Sequence, residues 1–139
     1  MKKQFILLIL FAISSMATLK SQTGDKEKQF VAKFLSFMHV ERGTNYPEMM
    51  KRISPNYLKE NNIDANTHKV NNYGIWGFTI ESYSADENLV TVKIFGQKHS
   101  WAYRLTFKLS NENEHLFILP SSFDDEWIHP WWTSESVKP

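Results

Sequence analysis

The segment from Phe123 to Trp132 contains the densest set of side chains that could do chemistry. It runs Phe-Asp-Asp-Glu-Trp-Ile-His-Pro-Trp-Trp and holds three of the five tryptophans of the chain. Aromatic faces beside acids and a histidine could stack on a sugar ring or an apolar ligand while the polar groups bond its hydroxyls. The segment could instead fold back over the core or lie in a dimer interface, where tryptophan is also enriched. Large aromatic side chains serve mostly as buried area, which favours this structural use.

The same segment raises the question of a metal site. Asp124, Asp125, Glu126 and His129 all carry oxygen or nitrogen ligands. Their spacing matches no structural zinc site and no calcium loop, and consecutive acids are typical of a solvated turn. The sequence therefore predicts neither a metal nor a cofactor.

The elements that must position these side chains begin with a sheet. From Gly74 onward the apolar residues recur with a period of two, which predicts half-buried strands. The positions expected to point inward are Trp76, Phe78, Ile80, Val90, Val92, Ile94, Trp101, Tyr103, Leu105 and Phe107. A fourth strand is predicted from Leu116 to Leu119. The polar stretches between strands, such as Ala85 to Asn88, are short enough for hairpins only, so the sheet is an antiparallel meander.

The opposite face of the third predicted strand is polar. It presents Arg104, Thr106 and Lys108. This face is either plain solvent surface or half of a sheet-to-sheet dimer, with charged partners such as Glu81. Neither alternative implies chemistry.

The residues before the strands predict helices. Asp25 to Met38 repeats large apolar residues at spacings of three and four, the pattern of an amphipathic helix with Asp25 as its N-cap. A short helix is predicted from Pro47 to Ile53. Ser54 followed by Pro55 is the pairing that opens a third helix. Helices first and strands afterward predict an α+β fold, with N-terminal helices packed on a four-stranded antiparallel sheet.

This element order, with the segment Ile-Ser-Pro-Asn-Tyr-Leu opening the third helix, resembles the nuclear transport factor 2-like, or cystatin-like, superfamily. The resemblance covers Asp25 to about Leu119. It implies a curved, cone-like sheet around the long helix, used as a small-molecule pocket, an active site or a dimer surface. Enzymes of that superfamily commonly place a carboxylate or histidine dyad inside the cone. None of the inward sheet positions here is an acid or a histidine, so no catalytic residue is predicted and an enzyme is disfavoured.

The first residues of the chain have the order of a secretory signal peptide. Lys2 and Lys3 precede an apolar run from Phe5 to Ile13, which is too short to span a membrane, and small residues follow. Cleavage is expected after Ala17 or after Ser21, with the second preferred. Residues 22–139 then form a single α+β domain with an aromatic C-terminal tail and no membrane span, and the ends 22–24 and 133–139 are expected to fray.

Composition narrows the partners and the compartment. The leader removes three lysines and no acid, which leaves a slight excess of acids and no basic cluster, so binding to nucleic acid or anionic lipid is not expected. The chain has no cysteine, which favours a bacterial protein exported to the periplasm or the extracellular medium.

Three functions stay open from the sequence. The first is a noncatalytic binding module for a hydrophobic or glycan-like small molecule, the second is an envelope interaction module such as a homodimer, and the third is a pocket enzyme. The number of tryptophans places the binding module first. The candidate ligand-binding residues are Trp76, Trp101, Tyr103, Trp127, His129, Trp131 and Trp132.

Overall fold

A computed structural model describes residues 24–139 of the chain. The predicted signal peptide, residues 1–21, lies outside the described residues with both cleavage sites, so it stays a prediction. Within residues 24–139, no helix is long and apolar enough to cross a bilayer.

Three α-helices occupy the N-terminal part of the described chain. Helix α1 covers residues 24–36, α2 is Tyr46–Met50 and α3 is Pro55–Glu60. The amphipathic pattern of α1 is confirmed, because Val31, Phe34 and Leu35 on one face are fully buried, as is Met38 in the turn that follows the helix. The prediction that Asp25 caps this helix was wrong, since residue 24 is already helical. Helix α2 is also shorter than predicted, because it ends in a turn at Lys51.

The strands form two sheets. They are β1 (Lys69–Val70), β2 (Gly77–Ser84), β3 (Leu89–Phe95), β4 (Ala102–Glu112), β5 (His115–Leu119), β6 (Ser122–Phe123), β7 (Trp127–His129) and β8 (Thr133–Val137). The main sheet has the order β2-β3-β4-β5 and is antiparallel throughout, which confirms the predicted meander. A small mixed sheet has the order β1-β7-β6, with β1 parallel to β7.

A fifth strand joins the main sheet at a place where the sequence predicted a frayed end. Strand β8 pairs antiparallel with residues 102–106 of β4, beside the part of β4 that pairs with β5. Its sequence is polar, so it lacks the hydrophobic alternation of a half-buried strand. Ladder hydrogen bonds hold it, together with side-chain contacts such as the Tyr73 hydroxyl to Ser134 Oγ at 2.8 Å.

Helix α1 packs on the inner face of the main sheet. Phe34 meets Phe107 edge to face, with ring centroids 5.8 Å apart. The inward sheet positions that are fully buried with α1 are Val90, Val92, Ile94, Leu105 and Phe107. The predicted α+β class, helix on antiparallel sheet, is confirmed.

Two local features of the sheet depend on backbone geometry. Strand β2 contains a bulge between Ile80 and Ser82, so that beyond it Tyr83 faces the core opposite Val90. The β4–β5 hairpin turns at Asn113 and Glu114, which both have positive φ, 51° and 67°. This is the two-residue turn whose twist matches paired strands.

The outer face of the sheet carries an ion-pair network within one chain. Arg104 donates from Nε to Glu81 at 2.6 Å and from Nη1 to Glu135 on β8 at 2.8 Å. Hydrogen bonding to Arg104 holds the pKa of Glu81 below its usual value. Glu81, considered from the sequence as a partner across a dimer, is thus engaged inside its own sheet.

A carboxylate at the end of β4 caps helix α3. Ser54, buried and at the N-cap as predicted, accepts the Tyr57 N–H and donates its hydroxyl to Glu112 Oε1. Glu112 Oε2 accepts the Asn56 N–H at 3.2 Å, and Ser110 also donates to Glu112. Partial burial raises the pKa of Glu112, but the hydrogen bonds from Ser54, Ser110 and Asn56 outweigh it, and the net pKa is lowered.

We expect this cap to make stability pH-dependent. Because the folded pKa of Glu112 lies below its unfolded value, its contribution is fully present above the unfolded pKa and is lost as pH falls through the folded pKa. Glu112→Gln should lower the free energy of unfolding by about 1 kcal/mol at pH 7. The difference from wild type should shrink as urea denaturation is repeated toward pH 3.

The matched control is Glu114→Gln, an exposed acid in the same hairpin. It should stay within about 0.5 kcal/mol of wild type at pH 7. A Glu112→Gln protein as stable as wild type at pH 7 would show that the cap carries no net stabilisation.

Candidate functional site

The seven candidate residues do not form one site. Trp101, Tyr103 and Trp131 lie together on the inner side of the sheet, against the core, while Trp132 lies on the outer side with Thr106 and Lys108. Trp127 and His129 belong to the small sheet, and Trp76 precedes β2.

Trp101, Tyr103 and Trp131 join Tyr73 to make an aromatic cluster. The Tyr73 ring stacks with Tyr103 at 5.0 Å and with Trp131 at 4.8 Å between centroids, and Trp101 is tilted against Tyr73 at 6.3 Å. The indole of Trp101 also lies against Gly96, where any side chain would collide with it. All four rings are half-buried and pack against the main core. The cluster extends the core toward β8.

Trp127 and Trp76 each make separate contacts. Trp127 on β7 is tilted against Tyr46 at 6.2 Å, and Trp76 is tilted against His39 at 6.2 Å. Strand β2 begins at Gly77, so Trp76 is not one of its inward positions. Both tryptophans are half-buried.

Both ring nitrogens of His129 are engaged. Nδ1 accepts from the Asn71 side-chain amide at 3.2 Å, so Nε2 carries the proton and donates to Asp124 Oδ2 at 3.2 Å. Asp124 also accepts hydrogen bonds from the backbone N–H groups of Glu126 and Trp127. These two bonds are the main cause that lowers the pKa of Asp124, and the hydrogen bond from His129 lowers it further. His129 therefore ties β7 to Asn71 and to Asp124.

Trp132 is the exposed tryptophan of the segment, with 45% of its surface accessible, and its position is nevertheless fixed. Its indole Nε1 donates to the Leu119 carbonyl and its backbone N–H to the Thr106 carbonyl, both at 2.8 Å. Leu119 ends β5 opposite Lys108, and Thr133 begins β8 opposite Thr106. Trp132 thus occupies the gap between the two strands that share one edge of β4.

An open cleft of about 460 Å³ lies against Trp132 on the outer side of the sheet. We call it the Trp132 cleft. Its walls are Asp86, Glu87, Asn88, Leu89, Thr106, Lys108, Trp132 and Thr133. The volume is within the range of small-molecule sites, and the lining combines an aromatic face with several polar groups.

Some polar groups of the cleft already make hydrogen bonds within the protein, whereas others do not. The Asn88 amide accepts from the Tyr83 hydroxyl and donates to the Leu109 carbonyl, and the hydroxyls of Thr106 and Thr133 bond each other. Lys108 places its Nζ over the Trp132 ring, 4.8 Å from the centroid. None of the ion pairs among the described residues involves Asp86, Glu87 or Lys108. The carboxylates of Asp86 and Glu87 are therefore the charged groups of the cleft with unused binding capacity, while Lys108 is engaged with the Trp132 ring.

The sequence did not single out most of this cleft. Trp132 was a candidate, and Thr106 and Lys108 were placed on the polar outer face, but Asp86 and Glu87 were assigned only to a hairpin. No sequence signal groups Asp86 and Glu87 with Trp132, because their turn reaches the cleft through the register of β3 on β4, which brings Leu89 opposite Lys108.

A buried acid was also missed. Glu27 lies on the face of α1 that carries Val31 and Phe34, and its Oε2 is buried without a hydrogen-bond partner among the described residues. Burial is the main cause that raises the pKa of the Tyr83 hydroxyl, and the nearby charge of Glu27 raises it further. Its spacing of four from Val31 was the available signal. A single carboxylate without a second acid or a histidine bonded to it makes no proton-transfer dyad.

Metal binding has no geometric support in the part of the chain described here. Among residues 24–139, no three acidic, histidine or cysteine side chains lie close enough together to hold an ion.

Comparisons with protein families, curated proteins and solved structures found no match for this chain. The resemblance to the nuclear transport factor 2-like superfamily therefore stays a prediction.

The opposite placement of Trp131 and Trp132 gives a prediction that separates their roles. Trp131→Ala removes a ring stacked in the core extension and should lower the free energy of unfolding by roughly 2–3 kcal/mol. Trp132→Ala removes an exposed ring and one hydrogen bond and should cost about 1 kcal/mol. Urea denaturation of both variants measures the difference, and equal losses would contradict the assignment.

Proposed function

We propose that this protein is a noncatalytic binding module whose ligand is a glycan-like small molecule or a segment of a glycan, bound in the Trp132 cleft. The observation that carries the proposal is the exposed but fixed indole of Trp132. The proposal names no reaction, because neither His129 nor Glu27 belongs to an arrangement that could move a proton to a ligand.

The indole is prepared for stacking. The exposed part of the Trp132 ring leaves apolar surface in water that a stacked ligand would cover. Two hydrogen bonds, one from the ring and one from the backbone, hold this indole in place at the junction of β5 and β8. A rigid aromatic surface binds with little loss of conformational freedom.

The surroundings of the indole suit a ligand rich in hydroxyl groups. Sugar rings offer an apolar face for stacking and a rim of hydroxyls for hydrogen bonds. The carboxylates of Asp86 and Glu87 accept such bonds, and Lys108 is the third charged group of the lining. A purely hydrophobic ligand would leave these three charges desolvated and unpaired, which is costly. A glycan-like ligand is therefore favoured over a hydrophobic one.

The second candidate function is a protein-interaction or dimerisation module. The observation that favours it is the exposure of Phe123 and Val40, 40% and 46%, at sites outside the cleft. For either function we propose action outside the cytoplasm, in the periplasm or the medium, supported by the signal-like sequence of residues 1–21.

Binding can be tested with the protein purified from cells that express the full chain. Native mass spectrometry and a glycan array identify a bound or binding glycan, and calorimetry then gives its affinity. Trp132→Ala should weaken that affinity about tenfold or more, the scale of a central aromatic contact. Phe123→Ala removes an equally exposed aromatic outside the cleft and should leave the affinity unchanged.

The glycan proposal fails if no glycan binds, or if the Trp132→Ala protein, folded at the temperature of the assay, binds as wild type does. A concentration-dependent dimer that Phe123→Ala abolishes would favour the interaction module instead.

A further inference from the structure

We infer that the glycan bound in the Trp132 cleft carries free amino groups, as in a polymer of amino sugars that are not acetylated. This inference rests on the proposed function and deepens it by naming the class of ligand. It depends on the charges that line the cleft and on the position of Lys108.

The cleft has unbalanced negative charge. Asp86 and Glu87 stand on the β2–β3 turn, both exposed and neither in an ion pair with a described residue. Lys108 is the one basic residue in the lining, and its backbone is one strand away, opposite Leu89. Two acids therefore face one base, and an anionic glycan would meet net repulsion.

Lys108 does not neutralise these acids. Its ammonium lies over the indole of Trp132 instead, within cation–π distance. The Trp132 face therefore accepts a cationic group, and the carboxylates keep their capacity for another one. A sugar ring stacked on the indole with its amine directed to the turn would pair with the carboxylates that Lys108 leaves free.

A neutral sugar fits the charges of the Trp132 cleft less well than an amine-bearing one. It would stack on the indole, but it would cover the two carboxylates without supplying an opposite charge. Partly desolvated charges that stay unpaired reduce affinity. The cleft should thus distinguish an amine-bearing glycan from its acetylated counterpart of equal length.

The test compares glucosamine hexamer with N-acetylglucosamine hexamer by calorimetry, at a pH where the sugar amines are protonated. The full-length expressed and purified protein should bind the glucosamine hexamer about tenfold more tightly at low salt. The preference should shrink in 0.5 M salt, roughly where the screening length falls below 5 Å.

Substitutions test whether Asp86, Glu87 and Lys108 cause the preference for the glucosamine hexamer. Asp86→Asn combined with Glu87→Gln should lower affinity for the glucosamine hexamer about five- to tenfold, and it should not lower affinity for the acetylated hexamer, which no longer covers unpaired charges. Lys108→Met removes the internal competitor and should tighten glucosamine binding about two- to fivefold. A gain of affinity is not expected from structural damage.

The matched control removes two negative charges elsewhere. Asp125→Asn combined with Glu126→Gln alters another exposed pair of consecutive acids, which does not line the cleft. It should leave both affinities unchanged. If it lowers glucosamine binding as much as the cleft variant does, the preference comes from net charge and the inference is overturned.

The remaining outcomes separate the inference from the proposed function. Equal binding of the two hexamers, or tighter binding of the acetylated one, overturns the inference while the glycan-binding function stands. Binding of neither hexamer, with another glycan bound through Trp132, also overturns the inference alone. Failure of every glycan overturns both.

Discussion

The length of β4 is the constraint on which the rest of the structure depends. One edge of this strand pairs with β3 over residues 102–108, and the other edge is divided between β8 at its N-terminal part and β5 at its C-terminal part. Two strands laid end to end leave a gap in the ladder, and the chain from Pro120 to Trp132 must leave the sheet and return to it. The small sheet, the inner position of Trp131 and the outer position of Trp132 all follow from that excursion.

Much of this fold could be predicted because its signals are local. The Ser54–Pro55 pair marked the start of α3, and strict alternation marked β3 and β4. The features that could not be predicted depend on contacts far apart in sequence. Strand β8 is polar and is held by pairing with β4, the bulge in β2 depends on its register with β3, and β1 and β7 are too short to show a period.

The sequence predicted which types of residue belong to the candidate site, but it did not predict which of those residues lie together. Trp131 and Trp132 are adjacent in sequence, yet they serve different surfaces, since Trp131 stacks on Tyr73 and Trp132 lies against Lys108. The acids that share the cleft with Trp132 come from a turn more than forty residues earlier. Only the register of β3 on β4 brings them together, and composition carries no information about register.

The divided edge of β4 also has a consequence for the order in which the protein is made. Residues 102–106 are synthesised well before Thr133–Val137, the segment that pairs with them. During that interval a nascent chain presents an unpaired strand edge beside an incompletely assembled core, which is a template for association with other chains. Ribosome stalling or truncation between Glu112 and Thr133 would therefore produce species prone to aggregate, whereas completion of β8 removes the open edge by intramolecular pairing.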